Sequence, residues 1–247
     1  MATLRSARRP LTQTSTRLRP LCCAHQRRAF LPNPFEALNS ALPNAKSAPQ
    51  VLTAARTLPY PSAPVYSIIA DVPNYQSFLP YCQHSSITKW SAPDKAYGRR
   101  WPSEGVLTSG FGGITESFAS RVYCVPGRYV ESVGGDAETS LKAEDIQHHF
   151  EQAAQAVDRS QGSNGLLTYL RSTWTVEPLH DAKTHVSLAV EFSFANPMYA
   201  ALSGGVAPRV AEYMVKAFER RVQELLENNP AMAKASLADL DGSALKR

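Results

Sequence analysis

The sequence predicts an α+β fold, a curved antiparallel sheet of about seven strands wrapped around a long C-terminal helix, with two short helices after the first strand. Three observations carry that expectation. Between His185 and Phe194 the chain alternates without a break: Val186, Leu188, Val190, Phe192 and Phe194 share one face, and His185, Ser187, Ala189, Glu191 and Ser193 the other. Such alternation marks an antiparallel strand with one covered and one wet face. After Asn196-Pro197 a helical pattern runs to about Glu227. An apolar sheet face and an apolar helix stripe bury each other. Between the first strand and the rest, Pro73 and Pro80 each stop a short helical repeat, too short to be stable without tertiary support.

In chain order, Val51–Leu58 reads as the first strand, running into a Pro59/Pro61 turn. Ser62 is expected as N-cap of the first short helix, with Pro64 in its first turn, and Val65, Ile68, Ile69 and Val72 as its apolar stripe. Tyr75, Phe78 and Leu79 repeat the spacing over one turn. The two helices make best sense as a wall or lid closing one end of the gap between sheet and long helix. Strands are then expected over 82–90, 103–110, 114–125, 128–133, 166–177 and 183–194, with turns at Gly110–Gly113, Pro126-Gly127 and 178–182. The Gly110–Gly113 cluster also offers a source of sheet curvature. Along the fourth strand Ile114, Glu116, Phe118, Ser120 and Val122 fall on one face; polar residues among them mark either a cavity or a register one residue out. Residues 137–165 read as an insertion, with a surface helix over Leu141–Val157, a His148-His149 pair read as solvated (a metal site being the other reading) and a Ser/Gly/Asn loop. The long helix divides at Gly204-Gly205 into a piece near 197–203 and a main part holding Pro208 in its first turn. Its apolar stripe is expected along Leu202, Val206, Val210, Tyr213/Met214, Ala217/Phe218 and Leu225. Residues 229–247 read as a flexible polar tail.

Charge is unevenly placed. The chain has a formal net charge of +5, yet the first 35 residues hold seven arginines (Arg5, Arg8, Arg9, Arg17, Arg19, Arg27, Arg28) and no acid, so the remainder is slightly negative. That argues against a basic nucleic-acid-binding domain. An Arg- and Ser/Thr-rich, acid-free leader without an apolar core has the composition of a mitochondrial transit peptide over residues 1–35; the other reading is a basic arm for RNA or anionic lipid. Residues 36–49 read as a linker, and 50–228 as the folded domain. No run approaches the ~18–20 apolar residues of a membrane-spanning helix. Cys82 and Cys124, outside the leader, lack the spacing of a zinc site and read as small buried hydrophobes.

Four segments, "LPYPSAPVYSIIADVPNYQSFLPYCQHS", "TESFASRVYCVPGRYVES", "LLTYLRSTWTV" and "VSLAVEFSFANPMYAALSGGVAPRVAEYMVKAFERRV", resemble the mitochondrial coenzyme Q-binding proteins of the START-like, helix-grip superfamily. The resemblance spans roughly residues 51–224. It implies a peripheral protein on the matrix side of the mitochondrial inner membrane that binds ubiquinone or its late precursors without catalysis. Its role would be that of a lipid chaperone or carrier supporting respiration and quinone synthesis. Ubiquinone would be a ligand, with no cofactor, no metal and no nucleic acid. Respiratory or quinone-biosynthesis complexes are candidate protein partners. Superfamily relatives keep two alternatives open, a ribosome- or protein-interaction module and a cyclase-like enzyme.

The residues fit a carrier better than an enzyme. Proton-transfer chemistry needs a positioned acid or base. His84, Asp71 and Glu116 are the candidates near the expected cleft, and each has a surface, helix-end or hairpin role as its alternative. A polyprenyl quinone needs apolar wall area instead. Wall candidates are Val72, Phe78 and Leu79 from the lid, with Leu107 and Phe118 from the middle strands. Trp174, Val190 and Phe192 from the later strands and Val206, Val210 and Met214 from the helix complete the set. Tyr75, Tyr129 or Tyr213 would donate a hydrogen bond to the quinone ring. Phe111 and Ile114, at the glycine-rich hairpin tip, are candidates for membrane contact, the other reading being a tip folded onto the core.

Overall fold

The computed structural model of the chain describes residues 49–111, 114–151, 166–196 and 207–240, apart from the side chains of Phe111, Ile114, Ala207 and Pro208. The expected leader, nearly all of the linker, the 158–165 loop and the helical piece near 197–203 lie outside the described residues. Strand β1 (Gln50–Leu58) leads into helix α1 (Ser62–Ala70) and a 3-10 segment, Val72–Ser77. Strands β2 (Cys82–Trp90), β3 (Pro102–Phe111), β4 (Ile114–Val125) and β5 (Tyr129–Gly135) follow. After helix α2 (Gln147–Phe150) come β6 (Leu167–Pro178), β7 (Thr184–Phe194) and the long helix α3 (Ala207–Asn228).

The seven strands form one antiparallel sheet in the order β1-β7-β6-β5-β4-β3-β2, bearing out the expected fold class. Register fixes the faces, because residues directly opposite each other on paired strands share a face. Leu188 of β7 lies opposite Ala54 of β1 and Trp174 of β6, and Trp174 lies opposite Val130 of β5. All four are buried on the inner face, in one core with α1 and α3. Along β4 the even-numbered residues from Glu116 to Ser120 are half-buried while their odd neighbours are exposed. The predicted register of that strand is therefore right. Gly135 ends β5 with φ +61, and a Cβ there would meet the Thr168 carbonyl oxygen at 2.2 Å, so only glycine fits.

Several local expectations are corrected. Ser62 is the first helical residue and not the N-cap; Pro61 holds the cap position with extended backbone, which its fixed φ suits. Helix α1 is buried from Pro64 to Ala70, not along one stripe, because sheet, α3 and C-terminal segment enclose it. On α3 the buried line runs through Ala211, Val215, Phe218, Val222, Leu225 and Leu226. That is one residue round from the expected Val210–Met214 line, so Val210 and Met214 are half-buried and Tyr213 is exposed. The expected flexible tail is packed as far as Leu240: Met232, Leu237 and Leu240 are buried against the core. Arg99 holds it there, its guanidinium lying 4.1 Å above the Trp101 ring while Nη1 donates to the Leu237 carbonyl (3.2 Å) and Ser67 Oγ (3.1 Å).

The outer face carries a second, smaller core. Tyr123, Val125 and Val133 are covered there by Ala137 and Ile146. Within the expected Leu141–Val157 helix the described residues form a 3-10 turn (Ala143–Ile146) and α2, and 152–165 lie outside the described residues. The segment is anchored by Glu131, fully buried, whose carboxylate accepts from Thr139 Oγ1 (2.5 Å), Ser140 Oγ (2.6 Å), Ser140 N (3.0 Å) and Thr173 Oγ1 (3.0 Å). His148 and His149 are also buried, not solvated, with ring centroids 4.2 Å apart. They cover the ends of β3 and β4 and close against Tyr123.

His149 Nε2 accepts the Cys124 amide (2.9 Å), so the neutral ring donates from Nδ1 to Ser103 Oγ (2.7 Å). Burial, helped by neighbouring His148, holds its pKa down to about 3. An unfolded histidine titrates near ~6.5. Between those values the unfolded chain takes up a proton that the folded one refuses, so stability is present above about pH 6.5 and is lost as pH falls. Urea midpoints recorded from pH 8 to pH 5 are expected to fall more steeply for the parent chain than for His149→Asn. Parallel curves would show that His149 contributes nothing to the acid sensitivity.

Candidate functional site

The inner face has two tiers. In the lower tier Val122, Cys124, Val130, Trp174, Val176, Val186 and Leu188 are all buried against α1 and α3. Phe218 of α3 is its hub, packing edge-on against Trp174 (4.6 Å between centroids), Phe78 (5.0 Å) and Tyr75 (5.2 Å). In the next tier most inner-facing residues of the sheet are only half-buried: Leu52, Leu107, Phe118, Ser120, Ser132, Leu170, Ser172 and Val190. Met214 and Val210 of α3 are half-buried too. Apolar side chains kept partly open on the inner face, continuous with a filled core, make an open groove. It is the candidate site.

Most of the expected wall falls around this groove. Leu107, Phe118, Val190, Val210 and Met214 are in the half-open tier, and Phe192 beside them is buried. Trp174, Val72 and Leu79 lie deeper, in the filled core. Val72 is fixed by Ser85 Oγ, which donates to its carbonyl at 2.5 Å, and Phe78 is half-buried with the Arg221 guanidinium 5.8 Å from its ring centroid. The expected lid is thus part of the core's closing wall. Val206 lies outside the described residues. Phe111 and Ile114 are backbone partners at the end of the β3–β4 pair, their side chains outside the described residues.

The expected ring donors are not brought together. Tyr75 donates its hydroxyl to the Ile69 carbonyl, and burial pushes its pKa well above 10. Tyr129 packs with the outer-face core, and Tyr213 is 47% exposed. Of the acid–base candidates, His84 is exposed on β2, Asp71 accepts from Asn74 Nδ2 (2.5 Å) at the end of α1, and Glu116 accepts the Leu166 amide. Cys124 is buried beside Tyr66 and its thiol is pushed up to about 12, which keeps it protonated and unreactive; Cys82 is half-exposed. Among the described residues no group of His, Cys, Asp or Glu is arranged to hold a metal. Leu52, Ser132, Leu170 and Ser172 were missed as groove residues. Glu116 and Ser120, the polar residues on the inner face of β4, were the local signal of an opening.

Comparison with known proteins assigns the family. Residues 58–219 match the family described as polyketide cyclase / dehydrase and lipid transport. The chain belongs to that family. The resemblance to coenzyme Q-binding proteins is borne out by a Schizosaccharomyces pombe relative named "Coenzyme Q-binding protein coq10, mitochondrial", 29% identical over 71% of this chain and 89% of its own. A Pseudomonas aeruginosa relative named "Ribosome association toxin RatA" is 25% identical over 68% of this chain and 92% of its own. A START superfamily protein of known structure from Mycobacterium smegmatis is 18% identical, with a TM-score of 0.47 over 71% of this chain and 98% of its own. In this polyketide cyclase / dehydrase and lipid transport member the matched residues run from the end of β1 into α3, so they include both walls of the groove.

Proposed function

We propose that the chain binds coenzyme Q, or a late precursor of it, in the half-open tier of the groove. It would act as a non-catalytic lipid chaperone or carrier at the matrix face of the mitochondrial inner membrane. The observation that carries this reading is the apolar inner face left open above the Trp174–Phe218 core. Its support from outside is the coenzyme Q-binding name of the Schizosaccharomyces pombe relative. Covering hydrocarbon contributes about 0.8 kcal/mol per CH₂, so two or three isoprene units supply on the order of 10 kcal/mol before the costs of association. The arginine-rich, acid-free residues 1–35 fit mitochondrial import. Membrane contact through the β3–β4 hairpin, with Phe111 and Ile114, belongs to the same proposal.

The protein is expected to remove ubiquinone from vesicles and retain it through gel filtration. Phe111→Asp should slow that uptake and weaken binding to cardiolipin-containing vesicles while leaving the fold intact. Vesicle binding equal to the parent's would take the hairpin out of the account. The RatA-named relative supports a second reading, a ribosome-associated module. Salt-resistant sedimentation with mitochondrial ribosomes, together with no quinone uptake, would favour it.

A further inference from the structure

The half-open tier is not uniformly apolar. Ser120 on β4, Ser132 on β5 and Ser172 on β6 lie on the inner face, and Ser132 and Ser172 are direct cross-strand partners. Gly134, the next inner position on β5, leaves the surface beside them uncovered; a Cβ there would lie 3.2 Å from Ser120 Oγ. Among the described residues none of the three hydroxyls has a hydrogen-bond partner, and all three residues are half-buried. Each stands one inner-face step above the filled core: Ser120 above Val122, Ser132 above Val130, Ser172 above Trp174. Farther along the strands come Phe118, Leu107 and Leu170, and beyond Phe118 on β4 stands Glu116, whose carboxylate accepts the Leu166 amide. The charged residues alternating with these serines, Arg121, Glu131 and Arg171, belong to the outer face.

A hydrocarbon laid over those hydroxyls would strand them, since each donor cut off from water loses its hydrogen bond without a replacement. The part of a ligand that rests there must accept hydrogen bonds, and with no charge beside it, it must be neutral. We propose that Ser120, Ser132 and Ser172 form the headgroup subsite and that the ligand enters head first. The ring oxygens of the quinone accept from the serine hydroxyls, and the polyprenyl tail runs outward over Leu170, Phe118 and Leu107. This assignment rests on the quinone reading of the same groove, and it replaces the tyrosines as ring donors.

The test is titration of the full chain with decylubiquinone, and with squalene as a headless polyprenyl hydrocarbon. The parent is expected to bind both. The double variant Ser132→Ala/Ser172→Ala should bind the quinone about tenfold or more weakly, from the loss of two hydrogen bonds, with squalene unchanged. Quinone binding to the parent should also quench the indole of Trp174, about 7 Å along the strand from Ser172, and that component should vanish in Trp174→Phe. Equal quinone affinity in parent and double variant overturns the subsite and leaves the quinone reading standing, as does an equal loss of squalene binding. Binding without Trp174 quenching overturns the head-first orientation. A parent chain that takes up no quinone overturns the reading on which the subsite rests.

Discussion

Deleting residues 230–247 is expected to unfold the domain or bring it to the edge of unfolding. The segment contributes Met232, Leu237 and Leu240 to the main core, each at most 5% exposed. Burying a side chain of that size is worth about 1.5–3 kcal/mol. Three of them amount to roughly 5 kcal/mol or more, comparable with the whole stability of an ordinary domain. The deletion also takes away the Leu237 carbonyl that Arg99 bonds while stacked on Trp101, so the 91–100 loop loses an anchor. Urea denaturation followed by circular dichroism reads the result. Leu240→Ala is the milder form, expected to cost about 2–5 kcal/mol. A deletion variant with the parent's midpoint would show that these residues do not cover the core in solution.

Phe218→Ala is the second large effect. Its ring meets Trp174, Phe78 and Tyr75 at once, and it is 2% exposed. Truncating such a buried aromatic costs about 3–5 kcal/mol, through lost transfer free energy and the cavity left behind. Here the cavity would open directly beneath the groove. The variant should therefore lose stability and also let quinone sink deeper, changing the quenching of Trp174. Phe218→Leu keeps most of the volume and should lose much less of both. A Phe218→Ala unfolding free energy within about 0.5 kcal/mol of the parent's, the range of surface substitutions, would mean that the aromatic hub does not hold sheet to helix.

How far the sequence revealed this arrangement depended on how local each cause was. Strand β7 was legible because Val186 to Phe194 alternate strictly and one face is covered. The limits of β2 were legible because Pro80 precedes it and a turn follows Trp90. The phase of α3 was misread because Ala211, which starts the buried line, is too small to stand out beside Val210 and Met214. His148 and His149 looked solvated because what buries them, Tyr123 and the ends of β3 and β4, comes from distant parts of the chain. Met232, Leu237 and Leu240 sit in a polar composition that says nothing of the core they reach.

The candidate site shows the same division. Phe118, Val190 and Phe192 were readable as inner-face residues from alternation alone, whereas Leu107 and Trp174 were candidates by residue type. Which of them are packed and which stand open depends on how far α1 and Phe218 reach along the groove. That depth is set by tertiary packing and appears in no local pattern. Ser120 was the exception, since a hydroxyl between Phe118 and Val122 is costly to bury unpaired and so hints at an opening.

The half-open tier is proposed to hold a ubiquinone-class lipid. Organic-solvent extraction of the purified protein, before and after incubation with quinone-containing vesicles, followed by mass spectrometry, tests it most directly. Ubiquinone or a late precursor is expected, approaching one molecule per chain. An extract free of quinone in both conditions would contradict it, leaving the groove as loosely covered core and placing the protein's work on its surface.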